Sequence, residues 1–250
     1  MTYWLDSVQV ALETGTHQVP VFFRDDDAGW GERRLLRLIA MFQEHGLPID
    51  LAVIPMALSP ALAALLSARR SLGGTPLGLH QHGLNHTNHE PAGRPCEFGP
   101  SRPCKDILQD LALGRARLHD LLGEDLDPIF TPPWNRCTPD TVRGLRGLGI
   151  QVLSRDHTAP PASVDGVREV PVTLDWFARK KGVRLDPAAL AAMIAGQVSA
   201  GGPIGIMLHH AVMEPDDFTR LDQLLSLLAT HPRVQSLPMM AFHSERAGVS

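Results

Sequence analysis

The stretch VPVFFRDD, residues 19–26, decides the fold: it is an apolar run that ends abruptly in charge, the pattern of a strand leading to a polar edge. Directly after it, Leu35, Leu38, Ile39 and Phe42 repeat at the i, i+3, i+4, i+7 spacing of an amphipathic helix. IDLAVIP (49–55) predicts a second strand, ALAALL (61–66) a helix and TPLGLH (75–80) a third strand. A loop rich in Gly and Pro runs on to Pro103, and Ile107, Leu108, Leu111, Leu118 and Leu122 then mark a long helix. DPIFTP (127–132) opens the second half, followed by a helix over 139–148 and the strands IQVLS (150–154) and VREVPV (167–172). A helix over 187–200, the strand IGIMLHH (204–210), the helix PDDFTRLDQLLSLLAT (215–230) and the strand VQSL (234–237) complete the chain. Strand followed by helix, repeated about seven times, is the pattern of a parallel α/β sheet covered by helices. Unbroken apolar strands such as LAVI and IGIML fit burial on both faces.

The 250 residues, 44% of them hydrophobic, are enough for one large core of barrel or open-sheet type, and no linker interrupts them, so a single domain over 1–250 is expected. A net charge of -4 offers no basic face for nucleic acid and no polybasic lipid anchor. The first residues carry Asp6 and Glu13, with neither a basic start nor an unbroken apolar stretch, which is unlike a signal peptide. Apolar runs stay below the roughly 18 residues of a membrane span. A cytoplasmic protein is expected. Cys96, Cys104 and Cys137 are odd in number and form no CxxC pair, so reduced thiols are expected. The oligomeric state is not legible.

The placement of the polar residues points to a site. RDDD follows the first strand, HQHGLNH the third, TPPWN the fourth, and LHH closes a late one. In a parallel barrel the carboxyl ends of all strands open onto one face, where the βα loops build the site. LHQHGLNHTNHE (79–90) holds four of the chain's twelve histidines. Side-by-side neutral imidazoles are useful chiefly around a cation. His82 and His86, four apart, share one face if the segment is a helical turn. Asp25, Asp26 and Asp27 repel one another unless solvated, paired or bound to a cation, although one of them could instead cap a helix. Two histidines, one carboxylate and an open position make a catalytic zinc-type set.

RDDDAG, HGLNH, TPPWN and LHH, in this order, resemble the motifs of the polysaccharide deacetylase (NodB-homology) family over residues 19 to 210. The resemblance implies a distorted (β/α) barrel of about seven parallel strands. It implies a divalent metal, most often zinc, held by Asp27, His82 and His86, with Asp26 as base and His209 as the acid that protonates the leaving group. A backbone N–H at Trp134 is the implied oxyanion donor. The frame can instead shift to Asp25 and Asp26, and His210 is the alternative to His209. The implied reaction removes an acetyl or similar acyl group from nitrogen, less often oxygen, of a small-molecule sugar or a glycan precursor. The competing readings are a catalytically silent, metal-containing carbohydrate-binding protein and an amidohydrolase acting on a cyclic imide or ureide.

This chain departs from the family at the third motif. Thr131 stands where the family has the arginine that orients the catalytic Asp, and Arg24 or Arg136 could replace it. Asp175-Trp176 is the candidate fourth motif, with Asp156 as second choice, and Trp134 and Trp176 could equally be core. The loop from Gly83 to Pro103 is expected to shape the pocket.

Overall fold

In the computed structural model, which describes residues 3–72, 74–162 and 164–244, the strands are β1 (Val19–Ala28), β2 (Ile49–Val53), β3 (Leu77–His82), β4 (Ile129–Thr131), β5 (Val152–Leu153), β6 (Arg168–Glu169), β7 (Leu174–Asp175), β8 (Arg179–Lys180), β9 (Val183–Arg184), β10 (Ile204–Leu208) and β11 (Val234–Ser236). The helices are α1 (Asp6–Thr14), α2 (Glu32–His45), α3 (Pro60–Ser71), α4 (Cys104–Leu122), α5 (Pro139–Gly147), α6 (Pro187–Ala200), α7 (Pro215–Thr230) and α8 (Ala241–Ser244). Several helices start on local chemistry that the sequence carries. Ser59, Thr138 and Asp186 accept from the N–H groups of Leu62, Thr141 and Ala189, each just ahead of a proline in the first turn. Glu214 and Asp217 form a reciprocal capping box at the start of α7.

The strands of the main sheet pair in parallel in the order β6-β5-β4-β3-β2-β1-β10-β7, with β11 added beside β1. The two ends of that path are one piece of chain. Within the run 168–176, the Arg168, Val170 and Val172 N–H groups donate to Gln151, Leu153 and Arg155, whereas those of Thr173 and Trp176 donate to Gly205 and Met207. One extended segment therefore bonds β5 with its first half and β10 with its second, and the sheet curls closed. With β11 set aside and β6 and β7 counted as one stave, the path has seven staves, in line with the distorted barrel of about seven parallel strands that the resemblance implies. On its concave side Phe22, Ile129, Val152, Val170 and Met207 pack with Met239 and Phe242, which ties the barrel floor to α8. The larger core lies outside the strands, where Leu35, Leu38, Ile39 and Phe42 of α2 are fully buried as their spacing predicts.

Some boundaries differ from expectation. β3 continues to His82, and Gly83, with φ 63, turns the chain into a loop, so His82 and His86 do not share a helical turn. β10 stops at Leu208, directly before the histidine pair and two residues short of the expected end. The stretches at 150–154 and 167–172 keep only two residues of ladder each, because that side of the barrel is strongly irregular. Helix α1, which packs Val8 and Leu12 into the core, and the antiparallel β8–β9 hairpin were not anticipated. Among the described residues no helix is long and apolar enough to cross a membrane.

Candidate active site

Side chains on a strand alternate between faces, so Arg24 and Asp26 share one face of β1 and Asp25 takes the other. Regular alternation would send Asp27 away from Asp26. Here Asp27 adopts φ 71 and the register against β2 shifts between Asp25 and Ala28, a β-bulge that turns two successive carboxylates toward one site. Asp, whose short polar side chain tolerates the left-handed region better than most, is suited to that position. Positive φ recurs here: of the five non-glycine residues that have it among the described residues, Asp27, His86, Trp134 and Asn135 are in or beside the site. Backbone strain of this kind gathers where function constrains geometry.

Asp27, His82 and His86 each offer a ligand atom within 4.8 Å of the others. Asp27 Oδ1 lies 3.4 Å from His82 Nε2 and 3.3 Å from His86 Nε2, too long for good hydrogen bonds. That oxygen is buried without a hydrogen-bond partner, which is costly unless something electropositive completes it. His82 Nδ1 meets the Thr131 carbonyl at 2.9 Å, and a carbonyl can only accept. The proton is thereby fixed on Nδ1 and the Nε2 lone pair is turned toward Asp27, the outer-shell arrangement of metal-binding histidines. These residues fit a divalent cation.

Beside them sits Asp26, clamped by Arg24 through Nε to Oδ1 at 2.7 Å and Nη2 to Oδ2 at 2.9 Å. Arg24 is itself completely buried and donates further to Ser154 Oγ and Asn135 Oδ1. Burial alone would raise the Asp26 carboxyl, but Arg24, helped by His82 and His209, holds it at about 2. Arg136 does not reach Asp26; its guanidinium bonds the Pro95 carbonyl. Of the two arginines, Arg24 is therefore the one that meets Asp26. Thr131 instead accepts or donates through Oγ1 to His80, an interior histidine that burial pushes down to about 3.

The two late histidines separate cleanly. His210 is buried with Nδ1 2.6 Å from Asp25 Oδ2 and Nε2 2.8 Å from the Trp30 carbonyl, so both ring nitrogens face acceptors. Burial lowers its pKa, but Asp25 outweighs burial and brings it up to about 9. Asp25 and His210 form a closed ion pair behind β1, away from Asp26. His209 is partly exposed, with Nε2 4.0 Å from Asp26 Oδ2. Asp175 interacts with it electrostatically while accepting the Phe177 N–H at 2.8 Å. Asp156 is turned into a local hydrogen bond with Thr158. Trp176 is core, and Trp134 is half-buried with its ring 4.3 Å from that of His86. The Trp134 N–H has no intramolecular acceptor among the described residues. Its backbone, φ 56 and ψ 17, is left-handed.

A cavity of about 710 Å³ opens beside this cluster, lined among others by Glu90, Trp134, Arg155, Asp156, Asp175 and Met207. Its size suits a ligand larger than acetate, and its loop wall includes Arg94 and Cys96, from the segment expected to shape it. Burial raises the thiols of Cys96 and of Cys137, the latter to about 12, so neither is a ready nucleophile at neutral pH. All three cysteines are free.

No protein-family model matches the sequence, and no curated protein matches it. Solved structures do. A candidate polysaccharide deacetylase from Mycobacterium smegmatis superimposes with a TM-score of 0.69 at 16% identity, over 92% of this chain and 90% of that one. A family 4 acetyl xylan esterase from Clostridium thermocellum, in complex with a cobalt ion, superimposes at 0.55 with 15% identity over 89% of each chain. A carbohydrate esterase family 4 pseudoenzyme from Bacillus anthracis gives 0.60 at 12% identity, over 92% of this chain and 66% of that one. The chain has the polysaccharide deacetylase fold.

Proposed function

We propose that residues 1–250 form one catalytic domain of a divalent-metal-dependent hydrolase that removes an acetyl or similar acyl group from nitrogen, less readily oxygen, of a sugar or glycan precursor. One observation carries this reading: the unpartnered Asp27 oxygen between two imidazoles, beside a carboxylate clamped by arginine. When bound by Asp27, His82 and His86, the ion, for which zinc suits the donor set, supplies Lewis-acid polarisation of an acyl carbonyl and acidifies water.

The chain's own residues do the rest. Asp26, ionised at neutral pH, accepts a proton from the attacking water, and Arg24 fixes the orientation of both its oxygens. The Trp134 N–H, without an intramolecular acceptor among the described residues, is the donor for the oxyanion that the acyl carbonyl oxygen becomes. His209 gives a proton to the departing amine, on the open side of Asp26. The cavity beside Trp134 and Asp175 takes the sugar.

A second reading, a metal-containing carbohydrate-binding protein without catalysis, draws on two observations. A pseudoenzyme shares this fold, and a carboxylate held at about 2 is a weak base. Acetate release from N-acetylated sugars and their oligomers, with and without chelator, separates the two. The hydrolase reading expects zinc-dependent release that falls about 10²- to 10⁴-fold in Asp26→Asn while bound metal stays stoichiometric. No release by the metal-loaded parent on any acylated sugar sinks it.

A further inference from the structure

Glu97 is a fully buried carboxylate, and no Arg, Lys or His side chain pairs with it among the described residues. Such a group costs several kcal/mol to bury, of order, unless hydrogen bonds compensate. Its partners are all main-chain donors from one short loop: Oε1 accepts the Asn85 N–H at 2.9 Å and, weakly, the Thr87 N–H at 3.5 Å, and Oε2 accepts the Leu84 N–H at 3.3 Å. The Leu84 and Asn85 amides fall between His82 and His86, and the Thr87 amide directly follows His86. Gly83 has φ 63, and a Cβ there would collide with Glu97 Oε2 and with Pro133, so the loop and the carboxylate are fitted to each other.

The two histidines are held differently. His82 lies on a strand and its ring is oriented by the Thr131 carbonyl. His86 lies on a loop at φ 56, and among the described residues no side chain hydrogen-bonds its ring; the rings of Trp30 and Trp134 only flank it, at 5.2 and 4.3 Å. The position of its Nε2 is therefore set by the backbone on which it stands. We infer that Glu97 is a positioning residue for His86: its buried carboxylate gathers the Leu84, Asn85 and Thr87 N–H groups and sets the loop that presents this imidazole to the cation. The inference rests on the metal site of the proposed function and extends it to a residue twelve positions past Asn85, the donor of its shortest hydrogen bond.

The test is Zn²⁺ affinity, by competition with a chromophoric chelator, and the visible spectrum of the Co²⁺-loaded protein, for the parent, Glu97→Ala and Glu97→Gln, with thermal melts alongside. Glu97→Ala is expected to bind Zn²⁺ about 10- to 100-fold more weakly and to alter the Co²⁺ bands, the effect typical of losing an outer-shell support. Glu97→Gln keeps one acceptor oxygen and is expected to fall between the two. A Glu97→Ala protein that melts earlier but keeps the parent's affinity and Co²⁺ spectrum leaves the metal site standing and overturns the role of Glu97. Should Glu97→Ala not fold, Glu97→Gln decides alone: several-fold weaker binding supports the inference and parental binding overturns it. A parent that takes up neither ion overturns the metal reading itself, and the inference with it.

Discussion

Arg24 shows how a single side chain can set the chemistry of its neighbour. Two of its nitrogens bond both oxygens of Asp26, and both groups are buried, so the pair is screened little by solvent. Removing the guanidinium leaves the carboxyl to burial, which raises its pKa. Under the proposed function Asp26 acts as a base only when deprotonated, so the acid limb of the kcat/KM profile of Arg24→Ala is expected to move to higher pH than the parent's, whose Asp26 is held at about 2. Arg24→Lys recovers only part, since an ammonium cannot reproduce the bidentate fork. A profile unchanged in Arg24→Ala removes the clamp from the mechanism. The stability of the variant should also fall, by about 3–5 kcal/mol, because one partner of a buried pair is left alone; denaturant titration at neutral pH measures this.

At the scale of elements, β1 and the turn after β10 divide their acids and histidines between the candidate site and scaffolding. The Asp25–His210 pair ties the carboxyl end of β1 to the 3-10 turn His210–Val212. His210 has a folded pKa of about 9 against an ordinary 6.5, so its contribution to stability is complete below pH 6.5 and drains away as pH rises through 9. Unfolding free energies at pH 6, 7.5 and 9 are expected to show that decline in the parent and not in His210→Gln, which starts lower. Equal slopes would mean that the imidazolium is not the group responsible.

The elements also explain what sequence could and could not reveal. Strand-helix alternation was legible because buried parallel strands and amphipathic helices differ in apolar period. That Asp26, Asp27, His82, His86 and His209 gather in one place was legible because they lie at or just beyond the ends of apolar runs. The bulge at Asp27 was not, since no glycine marks it and a regular strand has room for only every second acid. The four-residue spacing of His82 and His86 suggested a helix, but Gly83 at φ 63 supplies a loop instead. Glu97 was missed because its partners are main-chain amides, which have no sequence signature; an acid wedged between Cys96 and Phe98, both buried, was the available clue.

For the whole molecule, the seam matters most. Closure depends on the run 168–176 bonding to both sides, and the halves of that run are too short to hold alone. Hydrogen exchange read by mass spectrometry is expected to find Val170, Val172, Thr173 and Trp176 protected to the same degree as Phe23 and Ile206 of the central strands; rapid exchange of these amides would show an open sheet. Closure also sorts the four tryptophans into two environments. Trp4 and Trp176 meet edge to face at 6.3 Å, whereas Trp30 and Trp134 both pack against His86. The second pair makes the molecule its own optical probe: a paramagnetic ion taken up at His86, against which both indoles pack, is expected to dim their emission more than that of the first pair, so occupancy can be followed in unlabelled protein by fluorescence alone.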